Sequence, residues 1–368
     1  MALPLALVVV IGLGWSAFWL YASSRAASEI DGWRAREAKA GRIHTCGDQA
    51  IGGYPFRIEV RCRSVGLEFR TFDPPLALNA KDGLAVVQVY DPTLLIAELS
   101  GPLSVGEPGK PPTLSANWKL AEASIRGTPQ APERVSIVMD DPTVARFNRG
   151  AMEPVAAATH AELHGRIVGG SVADNPVVEL VLRLAGASAP ELHPLVGQPT
   201  DGEIDAVLTG LKDFTPKPWS ERMREIAAAG GHIEVKQARF AQGDILAAGA
   251  GTLGLTADGR LDGELNITVA GLDKLVSLLG VDQLVQQYLA KQGNGLDMDK
   301  VAGSLDRLLP GLGGVVRNNS GGLAAAGIAL LGKPNDIEGR KGVSLPLRFS
   351  RGAAFLGPVP IGDVPPVF

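Results

Sequence analysis

Hydrophobic positions along this chain follow two regimes. From Leu3 to Ala22 the sequence LPLALVVVIGLGWSAFWLYA contains no charged side chain, and no later apolar run approaches its length. At about 1.5 Å per residue such a helix spans roughly 30 Å, the thickness of a bilayer's hydrocarbon core. This predicts a transmembrane anchor over residues 1–24. Residues 25–42, rich in Ala and long charged side chains and reaching Gly41, extend the helix beyond the membrane. After that, the period becomes two.

The clearest alternation is FRIEVRC, where Phe56, Ile58, Val60 and Cys62 share one face and Arg57, Glu59 and Arg61 the other. A partner strand near Ile43–Ile51, returning through Gly52-Gly53-Tyr54-Pro55, brings Cys46 alongside Cys62. The pattern recurs at Val65–Phe69, at Val178, Leu180, Leu182 and Leu184, at Ile204–Leu208, and around Leu265, Ile267 and Val269, where Asp258-Gly259 supplies a hairpin turn. Strands with one wet and one dry face belong to antiparallel sheets that cover a core or line an apolar groove. Helical periodicity is confined to a segment from Pro218, one from Leu272 to Lys291, and the shorter stretches Val301–Leu309 and Gly322–Leu331. Prolines in the final segment suit an edge or terminating strand. The expected fold is α+β, mostly β: a transmembrane helix, then antiparallel, curved sheets with a few helices. Its blocks are 43–215, a connecting helix over 216–230, and 231–368.

Composition narrows the class. With 45% hydrophobic residues in 368, the chain has ample material for one large or two modest cores. Thirty-five Lys and Arg against 39 Asp and Glu, interspersed, leave no footprint for a phosphate backbone and exclude nucleic acid as an expected partner. The apolar run exceeds the usual signal-peptide core, which favours an uncleaved anchor over cleavage near Ala22-Ser23-Ser24. Arg25, Arg34, Arg36, Lys39 and Arg42 after the span argue for a cytoplasmic body by the positive-inside rule. The two cysteines, Cys46 and Cys62, flank one hairpin and suit a disulfide in an oxidising compartment. We weight the cysteines, because Glu29, Asp31 and Glu37 dilute the cations and large domains translocate despite flanking charge.

Motifs for chemistry are sparse. GAGTLG at Gly249–Gly254 has dinucleotide-binding spacing but leads into a hairpin, whereas the motif requires a helix. GIALLGK at Gly327–Lys333 lacks the final Ser or Thr of a phosphate loop, Pro334 standing there. His160, Glu162 and His164 share one face of a strand, yet a metal site needs further ligands that the sequence does not offer, so a wet strand face with Leu163 and Ile167 turned inward is the expected reading. No Gly-x-Ser-x-Gly elbow occurs. No catalytic residue, metal or cofactor is expected.

Two segments carry a resemblance. TCGDQAIGGYPFRIEVRC (Thr45–Cys62) brackets Gly53, Tyr54, Pro55, Phe56 and Arg57 with the cysteine pair, and LPLRFSRGAAFLGPVPIG (Leu345–Gly362) contains Gly357, Pro358 and Gly362. With the anchor, they resemble the bacterial family called domain of unknown function 2125. The resemblance implies an exported, membrane-anchored protein and supplies no activity. The block DGRLDGELNITVAGLDKLVSLL is more loosely similar to repeats of AsmA-like envelope proteins, which combine an anchor with an open β-groove.

The expectation is therefore a non-enzymatic protein of the bacterial inner membrane, single-pass, with its bulk in the periplasm and a lipid or other hydrophobic ligand on an apolar-lined sheet. A scaffold binding other envelope proteins is the alternative, with a hydrolase or metal-dependent enzyme third. The ligand-binding residues are not identified. Cys46 and Cys62 form the expected clamp, and Gly53, Pro55, Gly357, Pro358 and Gly362 the expected turns.

Overall fold

The computed structural model describes residues 2–128, 131–148, 150–215, 217–278, 332–357 and 359–368. It opens with α1 (Ala2–Lys39), one helix of 38 residues that joins the predicted anchor and juxtamembrane segment without a break. Pro4 sits in the first turn, where its missing N–H costs no hydrogen bond, and Gly41, at φ +78°, takes the chain out of the helix. From Leu3 to Leu13 the large side chains are exposed; beyond the apolar stretch, Arg25 and Glu29 pair one turn apart at 3.0 Å.

The chain divides into two compact units, Met1–Arg166 and Ile167–Phe368. In the first, β1 (Arg42–Gly52), β2 (Arg57–Phe69) and β3 (Leu76–Gln88) form an antiparallel meander with Val60 opposite Ile51 on one side and Ala85 on the other. There follow β4 (Asp91–Ser100), β5 (Leu103–Gly106), β6 (Leu114–Asn117), β7 (Leu120–Thr128), β8 (Ala131–Asp140), β9 (Thr143–Asn148), β10 (Ala151–Ala157) and β11 (His160–Ser171). β3 forks: its C-terminal half pairs with β4 and its N-terminal half with β5. One branch runs from β4 through β7 and β8 to β11, the other from β5 through β6 and β9 to β10.

The second unit is a meander of β12 (Asp174–Ala187), β13 (Thr200–Leu208), β14 (His232–Gln242), β15 (Ile245–Leu255) and β16 (Leu261–Ala270). It continues through β17 (Lys333–Ile337), β18 (Arg340–Ser350), β19 (Ala353–Leu356) and β20 (Val359–Asp363); β18 pairs with β16 on one side and with β17 and β19 on the other. Two short helices, α2 (Trp219–Ala228) and α3 (Leu272–Leu278), pack here. Leu272 of α3 joins Val269, Leu345 and Leu356 in a buried cluster, and Ile226 of α2 joins Val178 and Leu211 in another. The fold is thus the expected mostly antiparallel, curved and unclosed sheet behind one apolar helix.

Three local differences from the sequence reading have physical causes. The expected connecting helix exists as α2, but β13 and β14 on either side of it are hydrogen-bonded to each other, so α2 lies within the second unit and the division falls at Arg166. Pro346 sits in β18, a strand paired on both sides, where an edge was expected. Its carbonyl accepts from Gly357 N–H at 2.8 Å, so its nitrogen faces the gap between the pairings to β17, which end at Ser344, and those to β19, which begin at Leu347. Leu163 projects to solvent instead of inward. The predicted helices Val301–Leu309 and Gly322–Leu331, and Leu272–Lys291 beyond α3, lie outside the described residues, as does most of Gly327–Lys333.

Candidate functional site

The first unit presents a continuous apolar face. Reading the ladders across β2, β3, β4, β7, β8 and β11 gives one row of Ile58, Val87, Leu95, Ile125, Val135 and Gly165, and a second of Val60, Ala85, Ala97, Ala123, Ile137 and Leu163. The intervening residues point the other way and form mixed rows: Glu59, Val86, Ile96, Ser124, Ser136, His164, and Arg61, Leu84, Glu98, Glu122, Val138, Glu162. Six strands at about 4.8 Å spacing make each row roughly 24 Å long. Alanines in the middle of the second row lower its floor between the bulkier first row and the Ile137–Leu163 end. Only Ile58 of the twelve is buried; Ile137 is 36% exposed and Leu163, directly opposite it, 41%.

This face starts where the sheet meets the apolar helix. The β1–β2 turn folds against the last third of the apolar stretch: Trp15 Nε1 donates to Pro55 O and Trp19 Nε1 to Arg57 O, both at 2.9 Å. Trp19 meets the Tyr54 ring edge-on at 5.5 Å, and Trp15 lies 6.2 Å from Phe56. Ser16 donates its hydroxyl to Gly12 O and receives the Tyr54 hydroxyl at 2.9 Å, so the small pair Gly12 and Ser16 serves this turn. Gly53 is required by its φ of +99° and because a Cβ there would stand 2.7 Å from Arg57 O. Glu59, expected on a wet face, is buried beneath the turn and bracketed by Arg57 (2.5 Å) and Arg61 (2.6 Å).

Further along the hairpin, Cys46 and Cys62 are joined by a disulfide with Cα atoms 5.5 Å apart. Ser64 has φ +55°, which kinks β2 and lets the two cysteines meet although Cys46 stands opposite Val65 and Cys62 opposite Gln49. The lower part of α1 closes over β1: Arg42 holds Glu37 bidentately, and the Trp33 ring lies 4.3 Å from His44. The Arg42 guanidinium keeps the Glu37 carboxyl below its ordinary value, while burial lowers that of His44.

Candidates for chemistry resolve into hydrogen-bonded networks. His160 Nδ1 contacts Asp140 at 2.6 Å and its Nε2 contacts Glu162 at 3.0 Å; Glu162 also reaches His164 at 3.1 Å. Carboxylates at both ring nitrogens favour the imidazolium, and the bond to Glu162 above all raises the His160 pKa. Among the described residues no group of three or more His, Cys, Asp or Glu is arranged to hold a metal ion. A hollow of about 450 Å³ beside the disulfide mixes Arg61 and Arg63 with Asp48, Asp82 and Glu98. Another of about 610 Å³ in the second unit includes His232, whose ring meets the Thr209 hydroxyl at 3.1 Å. Gly249–Gly254 lies inside β15.

Gly357 adopts φ +60° and caps Pro346; Gly362 lies within β20 opposite Ala354, next to the register shift that leaves Ile361 unpaired, instead of in a turn. Pro358 is outside the described residues. Sequence reasoning missed the partners of Trp15 and Trp19, whose signal was the pair of indoles four apart on one helix face.

No curated protein matches this sequence. A family model described as "Uncharacterized protein conserved in bacteria (DUF2125)" matches residues 19–365, a span that takes in Trp19, the cysteine-bracketed turn, the apolar face and the C-terminal strands, and the chain belongs to that family.

Proposed function

We propose that this is a non-enzymatic, single-pass protein of the bacterial inner membrane whose periplasmic body holds an acyl chain on the apolar face of its first unit. The observation that carries this reading is the pair of all-apolar rows, partly exposed among the described residues, that begin at a turn packed on the apolar helix. Their length, about 24 Å, accommodates one lipid tail, since two tails end to end make the roughly 30 Å hydrocarbon core. The disulfide supports an oxidising compartment. Burial of a chain there removes both the ligand's and the sheet's apolar surface from water, at about 25 cal/mol per Å².

The test compares the full chain with its Ile137→Glu, Leu163→Glu variant, both extracted from membranes in the same detergent and analysed by lipid mass spectrometry. The wild-type chain is expected to carry glycerophospholipid in excess of the variant. Equal lipid in both, or a stoichiometric protein lost from the variant, would reject lipid binding; the latter outcome supports the scaffold alternative.

A further inference from the structure

The β1–β2 turn has an arrangement suited to lipid. Along α1, Trp15, Ser16 and Trp19 precede the first charged side chain, Arg25, by ten, nine and six residues. At about 1.5 Å per residue they sit roughly 9–15 Å below that charge, within the apolar stretch. These are the residues on which Tyr54, Pro55 and Phe56 are seated. The turn therefore descends alongside the helix to the depth of its apolar part.

Its surface matches that depth. Tyr54 is 56% exposed and Phe56 62%, and the neighbouring turn, joined by Val89 N–H to Phe56 O at 3.0 Å, adds Tyr90 at 67%. Three exposed aromatic side chains thus stand on two hydrogen-bonded turns, while the first cation, Arg57, is paired to Glu59. Backbone polar groups in hydrocarbon need internal partners, because no water is present to supply them. Here both carbonyls facing the helix are satisfied by indole N–H groups, and the Tyr54 hydroxyl by Ser16. In water those carbonyls would need no such partners. Aromatic residues with a polar edge are also the type that settles at the membrane–water boundary.

We infer that the β1–β2 turn, with Tyr90 beside it, is inserted into the bilayer leaflet next to α1, so that the body is held to the membrane at two points. The partner is the lipid bilayer itself. The inference rests on the reading of α1 as a retained anchor and is independent of what the apolar sheet face holds.

The experiment uses the full chain reconstituted in phosphatidylcholine/phosphatidylglycerol vesicles, with an environment-sensitive fluorophore on Phe56→Cys. Tyr90→Cys serves as a second site should the first fail to fold, and Lys110→Cys as an exposed reference. Labelling without reductant leaves the Cys46–Cys62 bridge closed. Emission at Phe56 and Tyr90 is expected to be blue-shifted, quenched by lipids carrying a nitroxide high on the acyl chain, and shielded from aqueous iodide, with the reverse at Lys110. Probes at both sites that behave like Lys110 would overturn the insertion while leaving the anchor intact. Intact mass measured on the same sample separates the other failure: loss of the α1 residues would remove Trp15 and Trp19 and reject anchor and insertion together.

Discussion

Leu345 in the second unit and Ile137 in the first invite comparison: each lies within a strand paired on both sides and faces an aliphatic residue across a ladder, Ile267 for Leu345 and Leu163 for Ile137. Leu345 is 2% exposed and Ile137 36%. The difference comes from what lies over the ladder. In the second unit Leu272 and Leu275 of α3, together with Ile361, cover Leu345, Val269 and Leu356. In the first, the described helix, α1, closes over β1 and leaves the rows from β3 to β11 half-exposed. Alternation chooses which side of a sheet is dry, and only a second layer turns a dry side into a core.

That contrast has a measurable size. Leu345→Ala leaves a cavity among side chains that cannot all collapse, and is expected to cost about 3 kcal/mol. Ile137→Ala, at a site already in contact with solvent, should cost less than about 1 kcal/mol. Denaturant titration of the full chain in micelles measures both. Equal losses would mean that the first unit has a hidden layer over its apolar rows, and the comparison would fail.

The first unit relies on a different fastening. Cys46→Ser with Cys62→Ser removes a bridge across 16 residues, expected to destabilise that unit by about 3 kcal/mol in the chain-entropy account. The second unit should unfold at an unchanged denaturant concentration, since it shares no bridge. Proteolysis confined to residues before Arg166 in the variant would sharpen the distinction; simultaneous loss of both units would erase it.

Much of the architecture was legible because its signals are local. The uncharged run Leu3–Ala22, the alternation of Ile58, Val60 and Cys62, and the turn at Asp258-Gly259 each depend on near neighbours in sequence. The apolar face was legible only at its ends, in Ile58 and Val60 of β2 and Leu163 of β11, and not as two unbroken rows, because register is set by pairings between distant segments. Glu59 shows the limit most clearly. Period two assigns it the polar face, correctly, yet the turn through Gly53 lies back over that face and two arginines enclose it. Pro346 fails for the related reason that the gap between β17 and β19, which spares its nitrogen a partner, is a property of three strands and of none alone.

The smallest expected effect distinguishes two histidines within the first unit. His44 packs against Trp33, and burial lowers its pKa from 6.5; His160 lies between carboxylates, and its bonds to Glu162 and Asp140 raise its pKa from the same value. As pH falls below about 6.5, the unfolded chain takes up a proton that folded His44 resists, so stability declines on the acid side. Glu37, held below its ordinary value by Arg42, adds a loss at still lower pH. For His160 the sign reverses. Its contribution is complete below about 6.5 and disappears as pH rises through its elevated folded-state value. The effect at His160 is modest because water screens the exposed network around it. Imidazole resonances of the full chain in micelles are expected to titrate below 6.5 for His44 and above it for His160, and His160→Gln should abolish the alkaline decline while sparing the acid one. Were His160 to titrate at or below the value of a free imidazole, its carboxylate contacts would be absent in solution, and the polar face of β11 would be as open to solvent as the apolar one behind it.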